Sequence, residues 1–92
     1  MPMHDALFRA LADPTRRRIL ELLAERDRTA GDIAEHFPIA FASVSHHLAV
    51  LRDAELVASE REGQRVRYRL NTTVFQEIVR YLANRFAGGT HA

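Results

Sequence analysis

The chain has 92 residues, 47% of them hydrophobic and 27% charged, a balance that suits one small folded domain and not a disordered segment. It contains no cysteine, which excludes disulfides, thiol redox sensing, thiolate metal sites and cysteine nucleophiles. The net charge is only +1, but all 13 cationic side chains are arginine; arginine suits bidentate contacts with phosphate and guanine, and a GC-rich genome accounts for the missing lysine as well.

The charge is unevenly spread. Residues 14–28 carry five arginines against three acids, residues 61–70 four against one, and residues 31–60 one against five. No apolar run approaches the length of a membrane span. The opening MPMHDALFRALADP lacks the charged head and apolar stretch of a signal peptide. No membrane insertion and a cytoplasmic location are therefore expected.

In chain order, HDALFRALAD places Leu7, Phe8 and Leu11 at helical spacing, a helix too short to stand alone. DPTRRRILELLAERD begins with Asp13 as a cap and Pro14 in the first turn, and carries a stripe of Ile19, Leu20, Leu22 and Leu23. Arg16, Arg17 and Arg18 lie at its N-terminal end, placed either to hold a phosphate or to pair with Glu21 and Glu25 along the helix. RTAGDIAEHF starts at Thr29 with Asp32 three residues on, close to a capping box, and Pro38 stops it. ASVSHHLAVLRDAEL resumes helical spacing with Val44, Leu48 and Leu51 on one face. Two short helices joined by a tight break read as a helix-turn-helix.

The period then changes. LVASEREGQRVRYRL is a hairpin pattern around Glu62, Gly63 and Gln64. Its second strand alternates Val66, Tyr68 and Leu70 with Arg65, Arg67 and Arg69, so one face packs and the other is a guanidinium ladder or simply a solvated face. NTTVFQEIVRYLANRF closes the chain as a helix capped by Asn71 or by Thr73, which has Gln76 at capping-box spacing. Its apolar positions Val74, Phe75, Ile78, Val79, Leu82 and Phe86 exceed what a monomer of this size covers. GGTHA reads as a loose tail. The expected fold is mainly α with a small β-hairpin. It is a winged helix-turn-helix with one helix added at each end, a single DNA-binding domain over residues 1–92. The helix-turn-helix spans about 30–54, the wing about 56–70 and the C-terminal helix about 72–87.

A recognition helix reads bases from the outer face near its N-terminus. With Val44, Leu48 and Leu51 facing inward, His46 points outward, Ser43 lies on the outer flank, and Ser45 and His47 border the core. The expected DNA-contacting residues are Phe41, Ser43, Ser45, His46, His47 and Arg52 from this helix, Arg61, Gln64 and Arg65 from the wing, and Arg16. Each has a competing role: the serines as caps or solvated side chains, His47 as a boundary residue. Histidine titrates near pH 6.5, so His46 and His47 are expected to make DNA binding tighter near pH 6 than near pH 8.

In order and spacing, ALADPTRRRILELL, TAGDIAEHF, SVSHHLAVLRDAELV and EGQRVRYRLN resemble the ArsR/SmtB family of bacterial winged-helix repressors, over about residues 5–87. TAGDIAEHF and LNTTVFQ look closest to its metal-independent, sporulation-delay autorepressor-like subgroup. The resemblance implies a homodimer through the first and last helices, with Leu7, Phe8, Leu11, Phe75, Ile78, Val79, Leu82 and Phe86 at the interface. It also implies an inverted-repeat operator in double-stranded DNA and repression by promoter occlusion, often of the protein's own operon. One family metal site uses Cys-x-Cys on the first helix of the helix-turn-helix; here that segment is AGDIAEHF. Another uses Asp-x-His and a His pair on the final helix, which here has no histidine. Neither site is present, no metal or cofactor is expected, and stray histidines His4, His36 and His91 lack ligand spacing. The inducing signal is then a small molecule, a protein antirepressor or protein concentration itself.

The sequence departs from the family where the recognition helix begins. A Ser-Gln-Pro-Thr-like stretch is replaced by Ala40, Phe41, Ala42 and Ser43, which loses a serine cap at a cost of about 0.5–2 kcal/mol. Phe41 is expected to pack under the turn, the alternative being contact with a thymine methyl. The function expected is a DNA-binding repressor. A winged-helix protein-interaction module is the alternative, favoured by the few cations on the outer face of residues 43–53. An enzyme is not expected, because no nucleophile and oriented base occur together.

Overall fold

The computed structural model describes residues 2–87 and the side chains of 5–86. Helices α1 (Pro2–Leu11) and α2 (Pro14–Glu25) are followed by a short strand, β1 (Arg28–Thr29), and by helices α3 (Ala30–Ala34) and α4 (Phe41–Asp53). Strands β2 (Val57–Glu62) and β3 (Arg65–Leu70) form the wing, and α5 (Thr72–Leu82) runs on into a π-helical turn, Ala83–Ala87. GGTHA, with His91, and the side chain of His4 lie outside the described residues.

Local chemistry accounts for most of the boundaries. The Asp13 carboxylate accepts from the Arg16 backbone N–H at 3.0 Å and Pro14 fills the first turn of α2. Ile19, Leu20, Leu22 and Leu23 are all buried. The Thr29 hydroxyl accepts from the Asp32 N–H at 3.1 Å and starts α3. That helix is shorter than expected and ends at Ala34, with Glu35 to Phe37 in a hydrogen-bonded turn; Pro38 disfavours helical backbone in the residue before it. Asn71, not Thr73, caps α5, accepting from the Val74 N–H at 3.4 Å. Ala40 caps α4 with no side-chain bond.

The sheet corrects the expectation of a plain hairpin. It has three antiparallel strands in the order β1-β3-β2, with Arg28 opposite Tyr68 and Thr29 opposite Arg67. Two residues are too few to show a period of two, so β1 is silent in the sequence. The wing turn is also tighter than expected: Glu62 pairs with Arg65, leaving Gly63 and Gln64 as a two-residue turn with Gly63 at φ +63°. A positive φ at the first central position is what glycine supplies in such hairpins.

The core joins Leu7 and Ala10 of α1, Ile19, Leu20 and Leu23 of α2, Ile33, the Val44, Leu48 and Leu51 face of α4, Leu56, Val57, Tyr68 and Ile78. Val66 and Leu70 pack against it from the inner face of β3. This arrangement clamps α4 by one face and leaves the other outside.

Candidate nucleic-acid interface

Along α4 the buried residues are Val44, Leu48 and Leu51, while Phe41, Ser43, Ser45, His46 and Arg52 are exposed. His47 is not a free reader. Its side chain is only 17% exposed, with Nδ1 3.1 Å from an Arg16 guanidinium nitrogen and 3.9 Å from an Asp13 carboxylate oxygen. These contacts are those of the boundary role for His47.

Arg16 is likewise engaged within the chain. Its Nε donates to the Ala10 carbonyl at 2.8 Å, one terminal nitrogen donates to the Arg9 carbonyl at 3.1 Å and the other meets His47. The side chain closes the C-terminal end of α1, whose carbonyls have no partner within the helix. Arg17 does the same for the Leu11 carbonyl at 2.9 Å. Arg18 pairs with Glu21 at 3.2 Å as expected, but Glu25 pairs with Arg28 at 2.7 Å. Arg28, which sequence reasoning missed, is 4% exposed and also donates to the Leu22 carbonyl at 3.0 Å. A two-residue strand that buries an arginine has no sequence signature.

At the wing, Arg61, Gln64 and Arg65 are exposed around the turn. The outer face of β3 is not a bare guanidinium ladder. Glu60 stands opposite Arg67 and Glu62 opposite Arg65. The Glu62 carboxylate accepts from Arg67 at 3.0 Å, and this bond raises the Arg67 pKa above its ordinary value. Asp27, Glu60, Glu62, Arg67 and Arg69 thus line one mixed-charge groove. A second groove brings Phe41, Gln64 and Arg65 together beside α3. Phe41 does not pack under the turn; it is 55% exposed.

The expected interface residues divide likewise. Leu7 and Ile78 are buried in the chain's own core, and Leu11 and Phe75 are half-buried against it. Phe8, Val79, Leu82 and Phe86 remain exposed. The Phe8 and Tyr81 rings lie 6.3 Å apart, so α1 meets α5 at these two rings. Among the described residues no three His, Asp or Glu side chains gather as a metal site. His36 Nε2 lies 3.5 Å from an Arg28 guanidinium nitrogen.

A helix-turn-helix with its second helix clamped by one face, followed by a two-stranded wing that β1 extends to a three-stranded sheet, defines a winged-helix regulator. The bacterial regulatory protein model of the arsR family matches residues 13–59, and the chain belongs to that family. It is 53% identical over 78 residues to the transcriptional repressor SdpR of Bacillus subtilis (strain 168), covering 85% of this chain and 87% of that one. It is 34% identical over 76 residues to an arsenical resistance operon repressor of Staphylococcus aureus, covering 83% and 73%. Among solved structures, an ArsR-like transcriptional regulator from Rhodococcus sp. RHA1 superposes with a TM-score of 0.87 at 29% identity, over 98% of this chain and 83% of that one. The chain is a DNA-binding transcriptional regulator and not an enzyme.

Proposed function

We propose that the chain is a single winged-helix domain that works as a homodimeric repressor, occluding an inverted-repeat operator that includes its own promoter. The observation that carries the DNA-reading part is the clamping of α4: its Val44, Leu48 and Leu51 face is buried, so Ser43, Ser45 and His46 stand exposed at the end that meets bases. Arg52 and the wing residues Arg61, Gln64 and Arg65 flank them. The similarity to SdpR supports repression.

Dimerisation is supported by the apolar residues that the monomer leaves exposed, Phe8 on α1, Val79 and Leu82 on α5 and Phe86 in the turn after it. Residues 30–37 and the last helix lack the side chains of the family's metal sites, so induction by a small molecule, an antirepressor protein or dilution fits better than metal sensing. No helix among the described residues is long and apolar enough to cross a membrane.

The protein-interaction reading draws on one observation: Arg52 is the only cation on α4. A salt titration on the DNA upstream of the protein's own gene separates the two. A log–log slope of several units is expected for a complex that displaces counterions from phosphates. No specific complex at moderate salt contradicts the repressor reading.

A further inference from the structure

Two large apolar side chains stand in solvent where the recognition helix begins. Phe41, the first residue of α4, is 55% exposed, and Ile39, in the turn before it, is 41% exposed. The ring borders an open groove of about 420 Å³ between α3 and the wing tip and does not fill it. Helical phase puts Phe41 one turn before Ser45, on the flank of α4 that faces the wing.

We propose that Phe41 is a specificity-determining residue that reads a thymine methyl group in the major groove, with Ile39 beside it. The proposal rests on the reading that the N-terminal end of α4 enters that groove. From Phe41 to Leu51 the helix carries no arginine or lysine, so the usual bidentate contact with guanine is absent from its reading end. What it presents there is an aromatic ring, a small alanine, two serines and His46. Base edges in the major groove offer hydrogen-bond donors and acceptors and one apolar group, the C5-methyl of thymine. An exposed phenylalanine at that end has no other complementary partner on the DNA edge. Ser43, Ser45 and His46 then read the polar edges of neighbouring pairs.

The test uses the operator duplex with each thymine in turn replaced by deoxyuridine, which removes only the methyl. Binding is measured for the wild type, Phe41→Ser and Phe41→Leu. One thymine in each half-site is expected where the replacement weakens wild-type binding about fourfold, the worth of one buried methyl. Phe41→Ser is expected to be indifferent to that replacement, and Phe41→Leu to stay sensitive. Because the ring is exposed, thermal unfolding of Phe41→Ser is expected to match the wild type. Specific binding with no methyl-sensitive thymine, or with equal sensitivity in Phe41→Ser, overturns the inference and leaves the repressor reading standing. Absence of any specific complex overturns both.

Discussion

His46 and His47 are neighbours with separate physical roles. His46 is exposed on α4, whereas His47 is wedged against the corner between α1 and α2. The imidazole accepts from Arg16 through Nδ1 only when that nitrogen carries no proton. The charged groups facing it are Asp13 at 3.9 Å and Arg16 at 3.1 Å, with the His46 ring 6.0 Å away. Of the two, His46 is the one exposed toward solvent; His46→Ala is expected to weaken operator binding in a binding assay, and His47→Gln to change it less. His47→Leu strands the part-buried Arg16 donor and is expected to cost about 1–2 kcal/mol in urea unfolding. Helical phase alone separated the two histidines; Arg16, 31 positions away, was beyond it.

Asp13 makes a second prediction at this scale. The Arg16 backbone N–H holds its carboxyl below the usual carboxylate range; burial opposes this, and the His47 and Arg16 charges add to it. A pKa lowered by folding stabilises the protein fully above the unfolded value, about 3.9. The stabilisation is lost as pH falls through the lower folded value. Asp13→Asn, which keeps a capping oxygen, is expected to be less sensitive to acid below about pH 4. Asp13→Ala is expected to cost about 1 kcal/mol near neutrality, measured by denaturant unfolding.

At the scale of elements, the C-terminal end of α4 carries a hidden strain. Glu55 sits at φ +62°, with its N–H on the Arg52 carbonyl and the Leu56 N–H on the Leu51 carbonyl. That is a Schellman ending without the usual glycine. Glu55→Gly is expected to raise stability by up to about 1 kcal/mol in chemical denaturation; a loss would contradict the strain. Elements with strong periodicity or a capping side chain were legible in the sequence: α2 from Asp13 and its leucine stripe, α3 from Thr29, and the wing from its alternation. What was not legible depends on contacts between distant segments. β1 exists because β3 offers it an edge, and Glu55 is left-handed because Leu56 must turn inward to the core. The charge pairing on the wing was not legible for the same reason, since Glu60 and Glu62 share the face of Arg65 and Arg67 through strand register.

At the scale of the molecule, the sequence pattern showed a surplus of apolar residues on the last helix but not which of them the monomer uses. Ile78 and Leu7 go inward because α1 and α5 pack over the helical core; Val79 at 65% and Phe86 at 67% exposure do not. Val79→Asp is expected to shift the protein to monomer in sedimentation while keeping its far-ultraviolet circular dichroism. The central claim is that two such chains place two α4 helices on one face of DNA. The direct measurement is a hydroxyl-radical footprint on the DNA upstream of the protein's own gene. The account predicts two symmetric protected patches one helical turn apart, about 34 Å, both lost in Val79→Asp. A single patch, or protection unchanged in the monomeric variant, would contradict it.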